Sequence, residues 1–268
     1  MRLIWKRISF ALLLAAWFAC GAGAQDYGDK EYQPRTGQEG KDVIWVPTPE
    51  ALVQRMLDMA KLTPKDIHYD LGSGDGRTVI AAARRGVKAI GVEFNPDMVA
   101  LSKRLAQKEG AAIAARTEFI RGDIFQTDFS KANVLTLYLL PSLNLKLRPT
   151  ILNMQSGTRV VSHAFTMGEW DADQTEVAEG RTAYLWIVPA KVEGNWRIEG
   201  AGDLALKQTF QKIEGTLAGK PITNSSLRGD AIAFSVDGRE YSGRVAGNRM
   251  EGTVKGSSSG PWRATRAQ

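Results

Sequence analysis

The sequence predicts an α/β protein: a sheet with helices on both faces, followed by a small antiparallel all-β domain. Three observations carry this. Short apolar runs alternate with helical patterns from about residue 50 to residue 189. The first of these runs feeds a glycine-rich turn, Asp70-Leu-Gly-Ser-Gly-Asp-Gly-Arg77. Beyond about residue 192 helical periodicity stops, and a glycine-punctuated pattern recurs three times, over residues 214–219, 242–247 and 251–256.

The elements follow in order. Arg2, Lys6 and Arg7 precede an unbroken apolar stretch from Phe10 to Cys20, and the small residues Ala22-Gly-Ala24 come next. Residues 1–24 therefore read as a secretory signal, and the expected location is periplasmic or secreted. The stretch is short for a membrane span, which needs roughly 20 apolar residues. Anchoring by an uncleaved signal is the alternative. Cys20 is the only cysteine, so a processed chain would have none. That excludes disulfides, thiol catalysis and cysteine metal sites. His68 and His163 are too few for a histidine-rich site, and no metal is expected. The formal charge of +6 falls to +3 once the three basic residues of the leader are removed. That balance, with no basic run interleaved with aromatics, argues against a nucleic-acid partner.

Residues 25–46 read as an extended segment. Thr48 suits a helix N-cap and Pro49 the first helical position. Val53, Met56, Leu57 and Ala60 then recur at helical spacing until Pro64. Strands are expected at 67–71, 89–93, 117–121, 133–140, 158–165 and 182–189, with helices at 78–85, 96–110 and 143–154. This rhythm predicts a parallel sheet and a first domain over 47–192. Residues 193–268 read as an antiparallel meander curling on itself, with Asp237-Gly238 as a hairpin turn.

The chemistry gathers at strand ends. Gly72, Gly74 and Gly76, with Ser73 between, let backbone approach a ligand closely. The dinucleotide fingerprint is G-x-G-x-x-G, whereas the spacing here is G-x-G-x-G after an acid. That disfavours a nicotinamide-dependent oxidoreductase and fits S-adenosylmethionine, which has no phosphate. Asp70 is placed to hold its cationic amino end, Glu93 to accept both ribose hydroxyls, and Asp123 to accept from the adenine amine with Ile124 over the ring. Tyr138, where the fourth strand opens onto the crevice, is the candidate for contact with the reacting groups; its alternative is a half-buried sheet residue. Trp45 and Thr48 either close over the cofactor or serve the first helix. His68 and His163 read as structural.

Residues 41–165 resemble class I S-adenosylmethionine-dependent methyltransferases, on Asp70–Arg77, Glu93 and Gly122-Asp123. The layout from Gly40-Lys-Asp-Val-Ile-Trp-Val-Pro-Thr-Pro49 through Leu137-Tyr-Leu-Leu-Pro141 to Gly157-Thr-Arg-Val-Val161 resembles a group of exported bacterial proteins. More distantly, Val46-Pro-Thr-Pro49, the glycine loop with Arg77, and the Leu-Leu-Pro segment resemble protein-lysine methyltransferases that include mitochondrial members. The resemblance implies a Rossmann-like class I fold, S-adenosylmethionine as cofactor, and a protein lysine as methyl acceptor. The Asn/Asp-Pro-Pro-Tyr segment of many amino-methylating enzymes is absent, which puts base methylation in doubt. The β domain lies outside the resemblance to the lysine enzymes and is expected to meet a protein partner. The second reading is an exported binding or scaffolding protein with a vestigial methyltransferase fold.

Overall fold

The structure, a computed structural model, describes residues 27–256 and 259–267. The expected signal segment lies outside the described residues. The first sheet holds β1 (Ile67–Leu71), β2 (Lys88–Glu93), β3 (Thr117–Arg121), β4 (Val134–Leu137), β5 (Arg159–His163), β6 (Gln174–Ala178) and β7 (Arg181–Ile187), in the order β3-β2-β1-β4-β5-β7-β6. Strands β1 to β5 are parallel, while β7 is antiparallel to both β5 and β6.

The wholly parallel sheet expected from sequence is thus corrected to a mixed one. Strand β6 was missed because Gln174-Thr-Glu-Val-Ala178 is a half-exposed edge with no apolar run. Glu179 and Gly180 both have positive φ, 49° and 71°. That is the geometry of a two-residue hairpin turn, which returns the chain antiparallel instead of through a crossover.

Helices α1 (Glu50–Met59), α2 (Arg77–Arg84) and α3 (Pro96–Lys108) cover one face. Leu52 and Met56 of α1 pack on Val134, Val161 and Leu185, while Val53 and Leu57 join Val79, Ile80 and Val99. A short turn of helix, α4 (Ala111–Ala114), follows α3. The other face carries Leu71, Leu135, Val160 and Trp186 and is covered by α5 (Pro141–Leu152) together with the loop residues Ile124, Phe129, Met167 and Trp170. Helices lie on both faces as expected, but among the described residues the second face has a single one and is otherwise sealed by loops. Thr48 is not the cap of α1. Pro49 occupies that position without a side-chain bond, and the Thr48 hydroxyl is engaged elsewhere.

The second sheet contains β8 (Gly194–Ile198), β9 (Gly202–Thr209), β10 (Lys212–Leu217), the stub β11 (Lys220–Pro221), β12 (Thr223–Arg228), β13 (Ala231–Val236), β14 (Arg239–Ala246), β15 (Arg249–Lys255) and β16 (Gly260–Arg266). Successive strands pair antiparallel except β11 with β12, and β16 returns to pair with β8. At the remaining seam the Ser225 hydroxyl donates to the Ile213 carbonyl at 2.6 Å and Ile222 N–H to the Gly215 carbonyl at 2.9 Å. The meander is therefore a nearly closed barrel, which leaves few unpaired edge groups. Its interior is packed with Trp196, Leu204, Phe234, Tyr241 and Trp262. The repeated glycines have a packing cause. Gly243 faces Gly252 across β14 and β15, and the Trp262 ring lies against Gly243.

The two units meet at the tip of the β9–β10 hairpin. The Phe210 ring stacks on Trp170 with centroids 6.1 Å apart, the Arg148 guanidinium sits 5.3 Å from it, and the Gln211 amide donates to the Asp171 carbonyl at 2.7 Å.

A Cβ at Gly252 would stand 1.9 Å from the Ser242 carbonyl oxygen. Gly252→Val is expected to destabilise the barrel by about 2 kcal/mol or more, since overpacking of this kind forces backbone apart. Thermal unfolding followed by the near-ultraviolet signal of the buried tryptophans would register the loss, and an unchanged midpoint would contradict the packing described.

Candidate cofactor and active site

A cavity of about 700 Å³ lies at the carboxyl ends of β1 to β4, under a strap formed by the segment that precedes α1. Ligands of open α/β sheets bind in this position, and the volume suits a small-molecule cofactor.

The glycine loop is built by backbone pairing to β2. Gly72 and Ser73 N–H groups donate to the Val92 carbonyl at 2.9 and 3.0 Å. Gly74 N–H donates to Glu93 Oε2 and Asn95 N–H to Glu93 Oε1, each at 2.9 Å. Glu93 thus clamps the loop to the end of β2, a role its sequence position did not disclose. Each of its oxygens keeps a further lone pair for a diol. Gly74 has φ +54°, and a Cβ there would meet the Trp45 indole nitrogen at 2.6 Å. The strap rests its tryptophan directly on the loop, so no side chain fits between them.

Asp70 is buried beside the cavity. The Thr136 hydroxyl donates to its Oδ1 at 2.6 Å, and the charges that act on it are those of Asp75 and Glu93. Burial pushes its carboxyl up to about 7, aided by those two acids and opposed by hydrogen bonds from Thr136 and Thr78. Asp75 is itself paired with Arg77 at 2.6 Å. Asp123 stands at the end of β3, where its Oδ1 accepts from Phe125 N–H at 2.9 Å and its Oδ2 from Lys41 Nζ at 2.6 Å. The Lys41 hydrogen bond is the main cause holding the Asp123 carboxyl below the usual range.

The strap is fastened at further points. Asp29 pairs with Arg104 of α3 at 2.6 Å, Tyr27 meets the Trp45 ring edge-on at 5.4 Å, and Arg77 lies 4.9 Å from the Tyr27 ring while donating to the Thr48 carbonyl at 3.1 Å. At the far end the Thr48 hydroxyl is 3.1 Å from His163 Nδ1, and the Tyr138 ring stacks on the His163 ring at 3.7 Å and on Phe165 at 6.1 Å. Burial lowers His163 to about 4, with Arg181 adding to the shift, so it is neutral at physiological pH.

Of the residues singled out in the sequence, Asp70, Gly72, Ser73, Gly74, Glu93, Asp123, Ile124, Thr48 and Tyr138 all line this one cavity. Gly76 does not; it caps α2, and a Cβ there would strike Phe119 and Ser102, so its place is in packing. Lys41, Phe94, Thr136 and Leu139 were missed. Thr136 and Lys41 meet their partners only through strand register and loop folding, and no local pattern marks them.

The residues fit S-adenosylmethionine. Asp70 is a buried carboxylate without a cation among the charges acting on it, which suits an ammonium group. Glu93 lines the same cavity and would accept from the ribose hydroxyls, and Ile124 and Leu139 supply apolar wall. Ser73 Oγ is buried without a partner beside the same loop.

A seven-stranded sheet in this order with a cavity of this chemistry defines a class I methyltransferase. A family model described as the ANTKMT methyltransferase domain matches residues 70–174. A protein-lysine N-methyltransferase of Saccharolobus islandicus is 40% identical over 153 residues, which cover 54% of this chain and 94% of the relative. An adenine nucleotide translocase lysine N-methyltransferase of Mus musculus is 32% identical over 120 residues, 44% of this chain and 51% of the relative. A crystal structure of an RNA methyltransferase from Salinibacter ruber in complex with S-adenosyl-L-homocysteine is 48% identical, with a TM-score of 0.53, covering 55% of this chain and 96% of that one. The chain belongs to the class I S-adenosylmethionine-dependent methyltransferase family.

Two outcomes follow from Asp70. Its raised carboxyl favours the protonated form in the folded state, so its contribution to stability is full below the unfolded value near 4 and is lost as pH rises through about 7. Asp70→Asn is expected to raise the melting temperature of the cofactor-free protein by several degrees at pH 8 and much less at pH 5, while weakening S-adenosylmethionine roughly tenfold or more. In the unmodified protein, cofactor affinity is expected to climb as pH rises from about 5 to about 7, because the ammonium binds the ionised carboxylate. Scanning calorimetry and isothermal titration across this range check both; a pH-independent affinity would contradict the assignment of Asp70.

Proposed function

We propose that the protein transfers the methyl group of S-adenosylmethionine to the side-chain amine of a lysine in a protein acceptor. The observation that carries this is the 40% identity to the Saccharolobus islandicus protein-lysine N-methyltransferase across 94% of that relative's length. The rim of the cavity supports it. Ile44, Phe94 and Leu140 are exposed apolar side chains at the mouth, and Tyr138 and Phe165 form an aromatic wall inside it. A bound sulfonium supplies the electrophilic methyl group. The chain's own residues then have to orient an amine in line with it, keep water out and favour the uncharged amine, which an apolar, aromatic mouth does by penalising the charged form. Tyr138 lines the cavity and is held against His163 and Phe165, so its ring is fixed where it would be available to an incoming amine.

RNA is the second reading, favoured by the name of the Salinibacter ruber structure. The segment Tyr138-Leu-Leu-Pro141 in place of Asn/Asp-Pro-Pro-Tyr, and the apolar rim, weigh against it.

We also propose that residues 1–24 direct export, supported by Arg2, Lys6 and Arg7 before the apolar run and by Ala22-Gly-Ala24 after it. No helix among the described residues is long and apolar enough to cross a membrane. Fractionation of cells producing the full chain, with the mature N-terminus read by mass spectrometry, tests export.

The activity is tested by calorimetric titration with S-adenosylmethionine, then by transfer of labelled methyl groups to extracted protein and, separately, to extracted RNA. Label on protein that vanishes after Lys→Arg at the mapped site is the expected result. Label on RNA alone would favour the second reading. Absence of cofactor binding would leave a vestigial fold with a scaffolding role.

A further inference from the structure

His68 lies on β1, one turn of the pleat before Asp70, and is fully buried. Its Nε2 is 2.8 Å from the Thr136 hydroxyl, which in turn donates to Asp70 at 2.6 Å. Thr136 has one hydroxyl proton. When Asp70 is ionised, that proton points at the carboxylate, and the remaining bond can form only if His68 donates from Nε2. The imidazole is neutral, because burial lowers it to about 3. Its other nitrogen, Nδ1, is buried with no partner. A buried acceptor without a donor is unfavourable, and an aliphatic residue at this core position would avoid it. What the imidazole adds is a donor aimed at Thr136.

We infer that His68 is a positioning residue for cofactor binding: it fixes the Thr136 hydroxyl toward Asp70 and so strengthens the hold of that carboxylate on the ammonium end of S-adenosylmethionine. The inference rests on Asp70 being the ammonium's partner. The other groups that act on Asp70 are Asp75 in the glycine loop, Glu93 at the end of β2, and Thr78 at the start of α2. Both acids repel its negative charge, so the hydroxyl donors Thr136 and Thr78 oppose them. His68 acts on the first of these donors. Chained hydrogen bonds in a low-dielectric interior reinforce one another, which gives the imidazole its leverage at one remove.

The test separates the two ends of the ligand. S-adenosylmethionine and 5′-methylthioadenosine share the nucleoside and the sulfur, but only the first carries the amino-acid end. Calorimetric titration of the unmodified protein, His68→Leu and His68→Gln with each ligand is run from about pH 6 to pH 8.5, a range that brackets the Asp70 titration. Loss of the donor is expected to weaken S-adenosylmethionine roughly three- to tenfold. It should also move the pH midpoint of its affinity upward and leave 5′-methylthioadenosine unchanged. The glutamine, which can donate, is expected to restore most of the loss. Equal weakening of both ligands, or an unmoved midpoint, would overturn the inference. If the unmodified protein binds 5′-methylthioadenosine but its affinity for S-adenosylmethionine ignores pH, the fault lies with Asp70 and not with His68.

A second measurement needs no variant. The chain has only two histidines, so the imidazole nitrogens of the tag-free protein are resolved by nitrogen-15 NMR. With S-adenosylmethionine bound, His68 is expected as the neutral Nε2–H tautomer. The Nδ1–H tautomer would overturn the inference.

Discussion

The parallel register of β1 between β2 and β4 is the constraint on which the site depends. It sets Asp70 opposite Gly91 on one side and Thr136 on the other. Thr136 supplies the hydroxyl that bonds the carboxylate. Gly91 leaves the space that Ser73 fills, since a Cβ there would lie 2.6 Å from Ser73 Oγ. The same register ends β2 at Glu93, level with the loop it clamps. Side chains alternate across a strand, so a slip of one residue in β1 would turn Asp70 into the opposite core and bring Leu71 to the cavity. The apolar residues Leu135 and Val160 on that face forbid the slip, because the carboxylate would then be buried among them.

The strap depends on that framework and is held chiefly by shape. Its Lys41–Asp123 pair is solvent-facing, with the two side chains about a third and a quarter exposed, and a pair of this kind contributes little. The Trp45 ring is seated directly on Gly74, a glycine that admits no side chain. The consequence for Asp123 is specific. Its Oδ2, the atom suited to an adenine amine, is held by Lys41 through a weak, screened pair that also brings Lys41 to 5.1 Å from the Phe94 ring. A ligand that offers a better-shaped donor competes against a weak bond and not against a buried one.

Much of this was legible in the sequence where chemistry and geometry are local. Asp70, the glycine spacing, Glu93 and Asp123 are separated by strand–helix units whose periodicity is plain, so strand ends could be counted off. The positive φ of the loop glycines followed the same local rules. Where the sequence misled, a non-local contact had overridden a local preference. Thr48 has the ideal chemistry of a cap but bonds His163, 115 residues away. Glu93 reads as a free carboxylate yet accepts from two loop amides. Strand β6 carries no hydrophobic signal because it is an edge, and the direction of β7 is decided by two residues of turn. Tyr138 lies just past β4, not within it, since the expected strand of 133–140 pairs only over Val134–Leu137.

The barrel is joined to the catalytic unit where the sheet is least covered. With a single helix on that face, Trp170 and Met167 seal the sheet from a loop, and Phe210 supplies the apolar lid over Trp170 from the barrel side. Phe210 holds φ +55°, a conformation unfavourable for an aromatic residue, and hairpin geometry together with this stacking must offset it. Arg148 ties the joint to α5: it donates to the Met167 carbonyl at 2.8 Å while its guanidinium faces Phe210. Two residues before Met167 comes Phe165, whose carbonyl accepts from Asn144 of the same helix and whose ring faces Tyr138. The segment that carries Phe165 into the cavity lining is therefore pinned at one end by α5 and packed at the other against the barrel. The family match, residues 70–174, lies wholly within the first unit, so the barrel is an addition to a fold that already contains its cofactor residues.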